Sequence, residues 1–146
     1  MASTAPIPVL LCGKIPSHVQ ATTDILKPEY RVIKVCTDPA EARAAVTALL
    51  SPSIATPSID GTDYPRPRIV IMGGGYSPQV FSEIYDNVDG AKTVPWIRPV
   101  GTKPDGPGLP AGPPPAEEIA GRVRKALDEH SEEIENGKGA GEVWWM

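Results

Sequence analysis

Two cysteines, two histidines and one phenylalanine in 146 residues leave little material for several common kinds of site. Cys12 and Cys36 stand apart with no histidine beside either, so no zinc-type spacing and no Cys-x-x-Cys pair exists, and no metal is indicated. Each cysteine ends an apolar run, where a buried reduced thiol is the expected state. No apolar run approaches the roughly 20 residues that cross a bilayer. Residues 1–12 lack the basic start and long apolar stretch of a signal peptide. A cytosolic protein without a membrane partner is the expectation. Basic residues are not in excess either. The formal net charge is −4, and with ten acidic and ten basic residues up to position 115 the excess belongs to the C-terminal segment. An acidic chain with no basic stripe argues against a nucleic-acid partner.

What is plentiful is proline and glycine, at eighteen and fourteen residues. Both concentrate in residues 51–67 and 99–115, which places the excess in loops rather than throughout the chain. The remainder reads as one α/β domain over residues 1–146, with a Pro/Gly loop at 101–115 and a tail at 136–146. The first strand is Ile7 to Cys12, ended by Gly13. A helix over residues 17–26 follows, with Ser17 and Gln20 forming a capping box. The second strand, Tyr30 to Cys36, is interrupted by Arg31 and Lys34. The second helix opens on Asp38-Pro39-Ala40-Glu41, a capping box with proline at the favoured first position, and runs to about Leu50.

The third strand covers residues 68–72, and the third helix starts at Ser77-Pro78 with Val80, Phe81, Ile84, Tyr85 and Val88 toward the sheet. The fourth strand, over residues 94–100, contains Pro95 and Pro99, which predicts an edge because proline cannot donate to a ladder. A long C-terminal helix carries Ile119, Val123, Ala126, Leu127, His130 and Ile134 at helical spacing until Asn136-Gly137.

Alternating strands and helices imply a parallel sheet covered on both faces, a three-layer α/β/α sandwich. The first and third strands are apolar throughout, as central strands are, while the second is charged and the fourth proline-bearing. That pattern selects the flavodoxin-like order 2-1-3-4 over the 3-2-1-4 order of the dinucleotide-binding, Rossmann type. The chain then reverses direction between the first and third strands. In such sheets ligands bind at the carboxyl ends of the strands at that reversal.

The loops that flank the reversal are the most informative part of the chain. After Ile69-Val70-Ile71-Met72 come Gly73-Gly74-Gly75-Tyr76-Ser77-Pro78, a glycine run that lets something approach the backbone closely. Gly13-Lys14-Ile15-Pro16-Ser17 lies opposite. Two helix starts would point N–H groups and positive dipole ends at a phosphate or carboxylate. The candidate ligand-binding residues are therefore Gly13, Lys14, Ser17, Gly73, Gly74, Gly75, Tyr76 and Ser77. Lys14, His18 and Tyr76 are the side chains able to take part in chemistry, and no nucleophile–base pair can be read from spacing.

Known signatures are missing around this crevice. There is no phosphate loop ending in Gly-Lys-Ser/Thr, no Gly-x-Ser-x-Gly elbow and no Gly-x-Gly-x-x-Gly after the first strand, so no NAD or nucleoside-triphosphate motif is present. Asp38 ends the second strand where a dinucleotide fold has its ribose-binding acid, but its capping role explains it. A phosphorelay receiver has this topology and needs an acidic pair after the first strand and an aspartate after the third. Here those places hold Cys12-Gly13 and Met72-Gly73.

Two functions follow. The first is binding of an anionic small molecule or nucleotide-like ligand in the crevice, with cofactor and reaction unassigned. Lys103 and Asp105 in the proline-rich loop would suit a lid over it. The second is a non-catalytic interaction or assembly protein, a homo-oligomer being one form of it. Its basis is the terminal Val143-Trp144-Trp145-Met146, because two exposed tryptophans form an apolar patch suited to a partner. A tail folded back on its own domain would remove that basis.

Overall fold

The computed structural model describes residues 6–51, 58–59, 62–63, 65–73, 75–99 and 115–146. Its sheet is built from β1 (Ile7–Cys12), β2 (Tyr30–Cys36), β5 (Ile69–Met72), β6 (Trp96–Arg98) and β7 (Val143–Trp145), and a two-residue pair, β3 (Ser58–Ile59) with β4 (Thr62–Asp63), stands apart from it. The strand order is β2-β1-β5-β6-β7 with every neighbouring pair parallel. The expected reversal between the first and third strands is therefore present, at β1 and β5. The likeness to the expected order is complete over four strands, and the tail adds a fifth.

Side chains alternate across the sheet, which splits the core in two. Val9, Leu11, Ile69, Ile71 and Ile97 pack against α1 (Pro16–Leu26) and α4 (Ala116–Glu129). Leu10, Cys12, Cys36, Val70, Met72 and Trp96 pack against α2 (Pro39–Leu50) and α3 (Pro78–Asn87). Burying such side chains on both faces is what makes the central strands read as unbroken apolar runs.

Three expectations are corrected. The first helix is not capped by Ser17: it begins at Pro16 with Ile15 at the cap position and no side-chain cap bond, while Gln20 bonds Asp24 one turn on. Pro16 takes the first helical position, where its missing N–H costs nothing, and this places Ser17 inside the helix. The fourth strand is not an edge. Pro95 and Pro99 flank β6 rather than lie within it, so Trp96 N–H is free to donate to Glu142 and Arg98 C=O accepts from Met146 N–H. The edge is β7. The long C-terminal helix is two segments, α4 and α5 (Ser131–Glu135), broken at His130, with Ile134 still in the core.

The tail folds back. Trp144 is buried and lies flat against the His130 ring, centroids 3.8 Å apart, and His130 Nδ1 is 2.9 Å from Glu133 Oε1. The expected pair of exposed tryptophans is absent, because the tail completes the sheet. The lid residues Lys103 and Asp105 lie outside the described residues, as does the rest of 100–114.

Two glycines give opposite expectations. Gly90 has φ +88°, and a Cβ there would stand 1.8 Å from the Leu50 carbonyl oxygen. Gly121, within α4, has nothing within 4 Å of such an atom. Gly90→Ala is expected to cost at least about 2 kcal/mol from strain and displaced backbone, whereas Gly121→Ala is expected to gain up to about 1 kcal/mol from helix propensity. Urea unfolding midpoints of the two variants check both signs.

Candidate functional site

The crevice is formed where β1 and β5 end side by side. Gly73 N–H donates to Cys12 C=O at 2.9 Å, and Gly13 N–H donates to Cys36 C=O at 2.9 Å, so both loops hang from the strand ends. Lys14 leaves β1 and lays its stem across Gly75: a Cβ on that glycine would meet Lys14 carbons at 3.1–3.2 Å. Its ammonium then sits 5.2 Å from the centre of the Tyr76 ring, a favourable cation–π distance. At Gly75 the close approach expected of a ligand is made by Lys14. Neither Gly73 nor Gly75 has positive φ, a Cβ on Gly73 would meet only ordinary contact with Cys12, and Gly74 lies outside the described residues. Gly13 faces Val19, which a Cβ would meet at 2.9 Å, so this glycine is there for packing.

Tyr76 forms the floor. It is fully buried and donates its hydroxyl to Cys36 C=O at 2.9 Å. Burial pushes its phenol well above the ordinary tyrosine value, so it stays neutral and locked, bracing the turn. Ser77 caps α3, accepting from Val80 N–H at 3.2 Å, and Pro78 follows at the first helical position. Asp38 does the same for α2, accepting from Glu41 N–H at 2.8 Å while Glu41 bonds Thr37 N–H at 2.7 Å. The structure thus brings Gly13, Lys14, Gly73, Gly75, Tyr76 and Ser77 together at the carboxyl ends of β1 and β5. Ser17 is exposed and His18 half-buried in the first turn of α1, and neither side chain has a described hydrogen-bond partner. Cys12 and Cys36 are register partners, free and buried, and hydrogen bonding to Cys36 together with burial pushes the Cys12 thiol up. That makes it a poor nucleophile.

Arg98 is the residue that sequence reasoning missed. It is fully buried at the carboxyl end of β6 and donates from Nη1 to the carbonyls of Met72 (3.2 Å) and Gly73 (2.8 Å) and from Nη2 to that of Tyr76 (3.1 Å). No carboxylate pairs with it among the described residues. Burial lowers it to about 10, so it is charged at neutral pH. Arg98 stands on the same face as Trp96, two residues earlier, but both faces of this sheet are buried, so parity alone does not single it out. A charge on the inward face at the end of a buried strand is costly unless something uses it.

Among the described residues no group of three or more His, Cys, Asp or Glu could hold a metal, and no helix is long and apolar enough to cross a membrane. No protein-family profile matches the chain. Kojic acid related protein 6 of Aspergillus oryzae is 34% identical over 127 residues, covering 86% of this chain and 78% of that protein. The response regulator domain of Thermotoga maritima CheB superposes with a TM-score of 0.52 at 13% identity, over 89% of this chain and 97% of that domain. This second likeness shows an α/β fold of the flavodoxin-like, response-regulator type.

The buried phenol makes stability pH-dependent. A tyrosine raised in the folded state contributes stability below its unfolded value near 10 and loses it above, because the unfolded chain then sheds the proton first. Tyr76→Phe is expected to cost about 1 kcal/mol at pH 8 for the lost hydrogen bond, and its deficit should shrink at pH 10.5. Urea midpoints at the two pH values, for wild type and variant, check this; a deficit that stays constant would contradict it.

Proposed function

This chain belongs to the family of kojic acid related protein 6, and from the crevice geometry we propose that it binds a small anionic molecule, nucleotide-like ligands included, between the loops that follow β1 and β5. The observation that carries the reading is the convergence of positive charge at one place. Lys14, the buried Arg98 and the start of α3 meet at the carboxyl ends of the strands, and neither cation has a carboxylate partner among the described residues. The N-terminus of a helix already favours an anion through its free N–H groups and dipole. Asp38 and Glu41 at the start of α2 are occupied in their own cap.

No reaction is assigned. Lys14 and His18 are the side chains for any chemistry, while Tyr76 is held in the floor by its bond to Cys36. A cytosolic setting is part of the proposal, since two buried reduced thiols suit a reducing compartment. The name of the Aspergillus relative ties that protein to kojic acid, so kojic acid belongs among the ligands tried. A second reading, assembly through the tail, rests on β7 being an edge strand, which offers unpaired backbone to another strand. Light scattering that finds a monomer at high concentration removes it.

A thermal-shift panel of nucleotides, dinucleotides, flavins, sugar phosphates and kojic acid tests the main reading. A ligand that binds only the folded chain raises the melting temperature by mass action. At least one anion is expected to do so, with Lys14→Ala reducing its shift. No shift with any anion would overturn the proposal.

A further inference from the structure

Three sulfur-bearing side chains stand in one row across the sheet. Cys12, the last residue of β1, is the register partner of Cys36 at the end of β2 on one side and of Met72 at the end of β5 on the other. All three belong to the half of the core that faces α2 and α3, so they leave the same face of the sheet, and all three are fully buried. Adjacent strands lie about 4.8 Å apart, and the Cys12 and Cys36 thiols hydrogen-bond each other. The neighbouring loops use only the backbone of these residues. Cys12 C=O accepts from Gly73 N–H, Cys36 C=O from Gly13 N–H and the Tyr76 hydroxyl, and Met72 C=O from Arg98. The spacing of the three residues along the chain carries no metal signature; the strand register is what assembles them.

The donor set selects the ligand. Zinc takes four ligands in its structural sites, and no group of three or more His, Cys, Asp or Glu that could hold a metal exists among the described residues. Thiolate and thioether sulfurs without nitrogen or oxygen partners are soft ligands, which suit Cu(I). An ion bridging two sulfurs spans roughly 4.6 Å, twice a metal–sulfur bond of about 2.3 Å, close to the strand spacing. Methionine is unbranched and adaptable, so the Met72 thioether can close on the ion as a third ligand. Charge fits as well. A cuprous ion on two thiolates is a monoanion, and the buried Arg98 guanidinium has no carboxylate partner among the described residues. The bond to Cys36 and burial push the Cys12 thiol up, while Arg98 acts in the opposite direction. Burial that makes Cys12 a poor nucleophile does not prevent ligation, because a metal ion displaces the thiol proton itself.

We propose that Cys12 and Cys36, with the Met72 thioether beside them, form a binding site for a cuprous ion at the carboxyl end of the sheet. One Cu(I) enters, two thiol protons leave, and no oxidation state changes. The proposal is independent of the anion reading of the crevice.

Anaerobic titration of the reduced full chain with Cu(I) held by bicinchoninate tests this, since the coloured complex fades as the protein takes its copper. Wild type is expected to take one equivalent. Cys12→Ser and Cys36→Ser, each checked for native near-ultraviolet circular dichroism, should each weaken uptake at least about a hundredfold, and Met72→Leu about tenfold. No uptake by wild type, or undiminished uptake by either serine variant, overturns the proposal. Unchanged affinity in Met72→Leu overturns the part given to the thioether. X-ray absorption of copper-loaded wild type gives a readout that needs no variant to fold. A first shell of sulfur alone is expected, and nitrogen or oxygen ligands in that shell would overturn the site.

Discussion

A single buried guanidinium constrains the carboxyl end of the sheet. Arg98 reaches from the end of β6 under the turn that follows β5 and takes the carbonyls of Met72, Gly73 and Tyr76. Those contacts fix where α3 starts. The position of Tyr76 follows, and its hydroxyl then braces the end of β2 through Cys36. Cys36 C=O also holds Gly13 N–H, which sets the loop that carries Lys14. The three strand ends and both loops are therefore linked through a short chain of hydrogen bonds, at whose base sits a charge without a carboxylate partner among the described residues. Carbonyl dipoles offset only part of the cost of burying such a charge, and an anion at the mouth of the crevice would offset more.

Much of this frame was legible in the sequence because it follows from local rules. β1 and β5 read as buried strands from unbroken apolar runs, and their order followed from comparing strand polarity. Asp38 read as a cap from its spacing to Glu41 and Ser77 as a helix start from the proline after it, and both accept a backbone N–H of the first turn. Ser17 had the same spacing signal, but Pro16 one residue earlier supplied a better first helical position and the helix began there. The prolines around β6 were misleading because a proline just outside a strand removes no ladder bond. Val143-Trp144-Trp145 was too short to read as a strand, and its pairing with β6 depends on contacts made far along the chain. Arg98 was hidden for the same reason: its meaning lies in which strands flank it.

The fold itself decides little about function. The likeness to a response regulator domain is one of architecture at 13% identity. The strand ends that a receiver fills with acidic residues hold Cys12 and Met72 here. The two thiols add no reactivity, being buried and facing each other across β1 and β2. What stands at these strand ends instead is Lys14 over the Tyr76 ring and the buried Arg98 beneath the turn.

The side-chain Nε–H of Arg98 offers the most direct measurement of the central claim. In nitrogen-correlated spectra, the Nε–H of a buried arginine exchanges slowly with water and gives a separate resonance, whereas surface arginines exchange fast. The account predicts that Arg98 gives such a protected resonance in the free protein, and that its frequency moves as an anion fills the crevice. An Arg98 Nε–H that exchanges as fast as those of surface arginines, or one that stays fixed while the crevice amides respond to the anion, would contradict it.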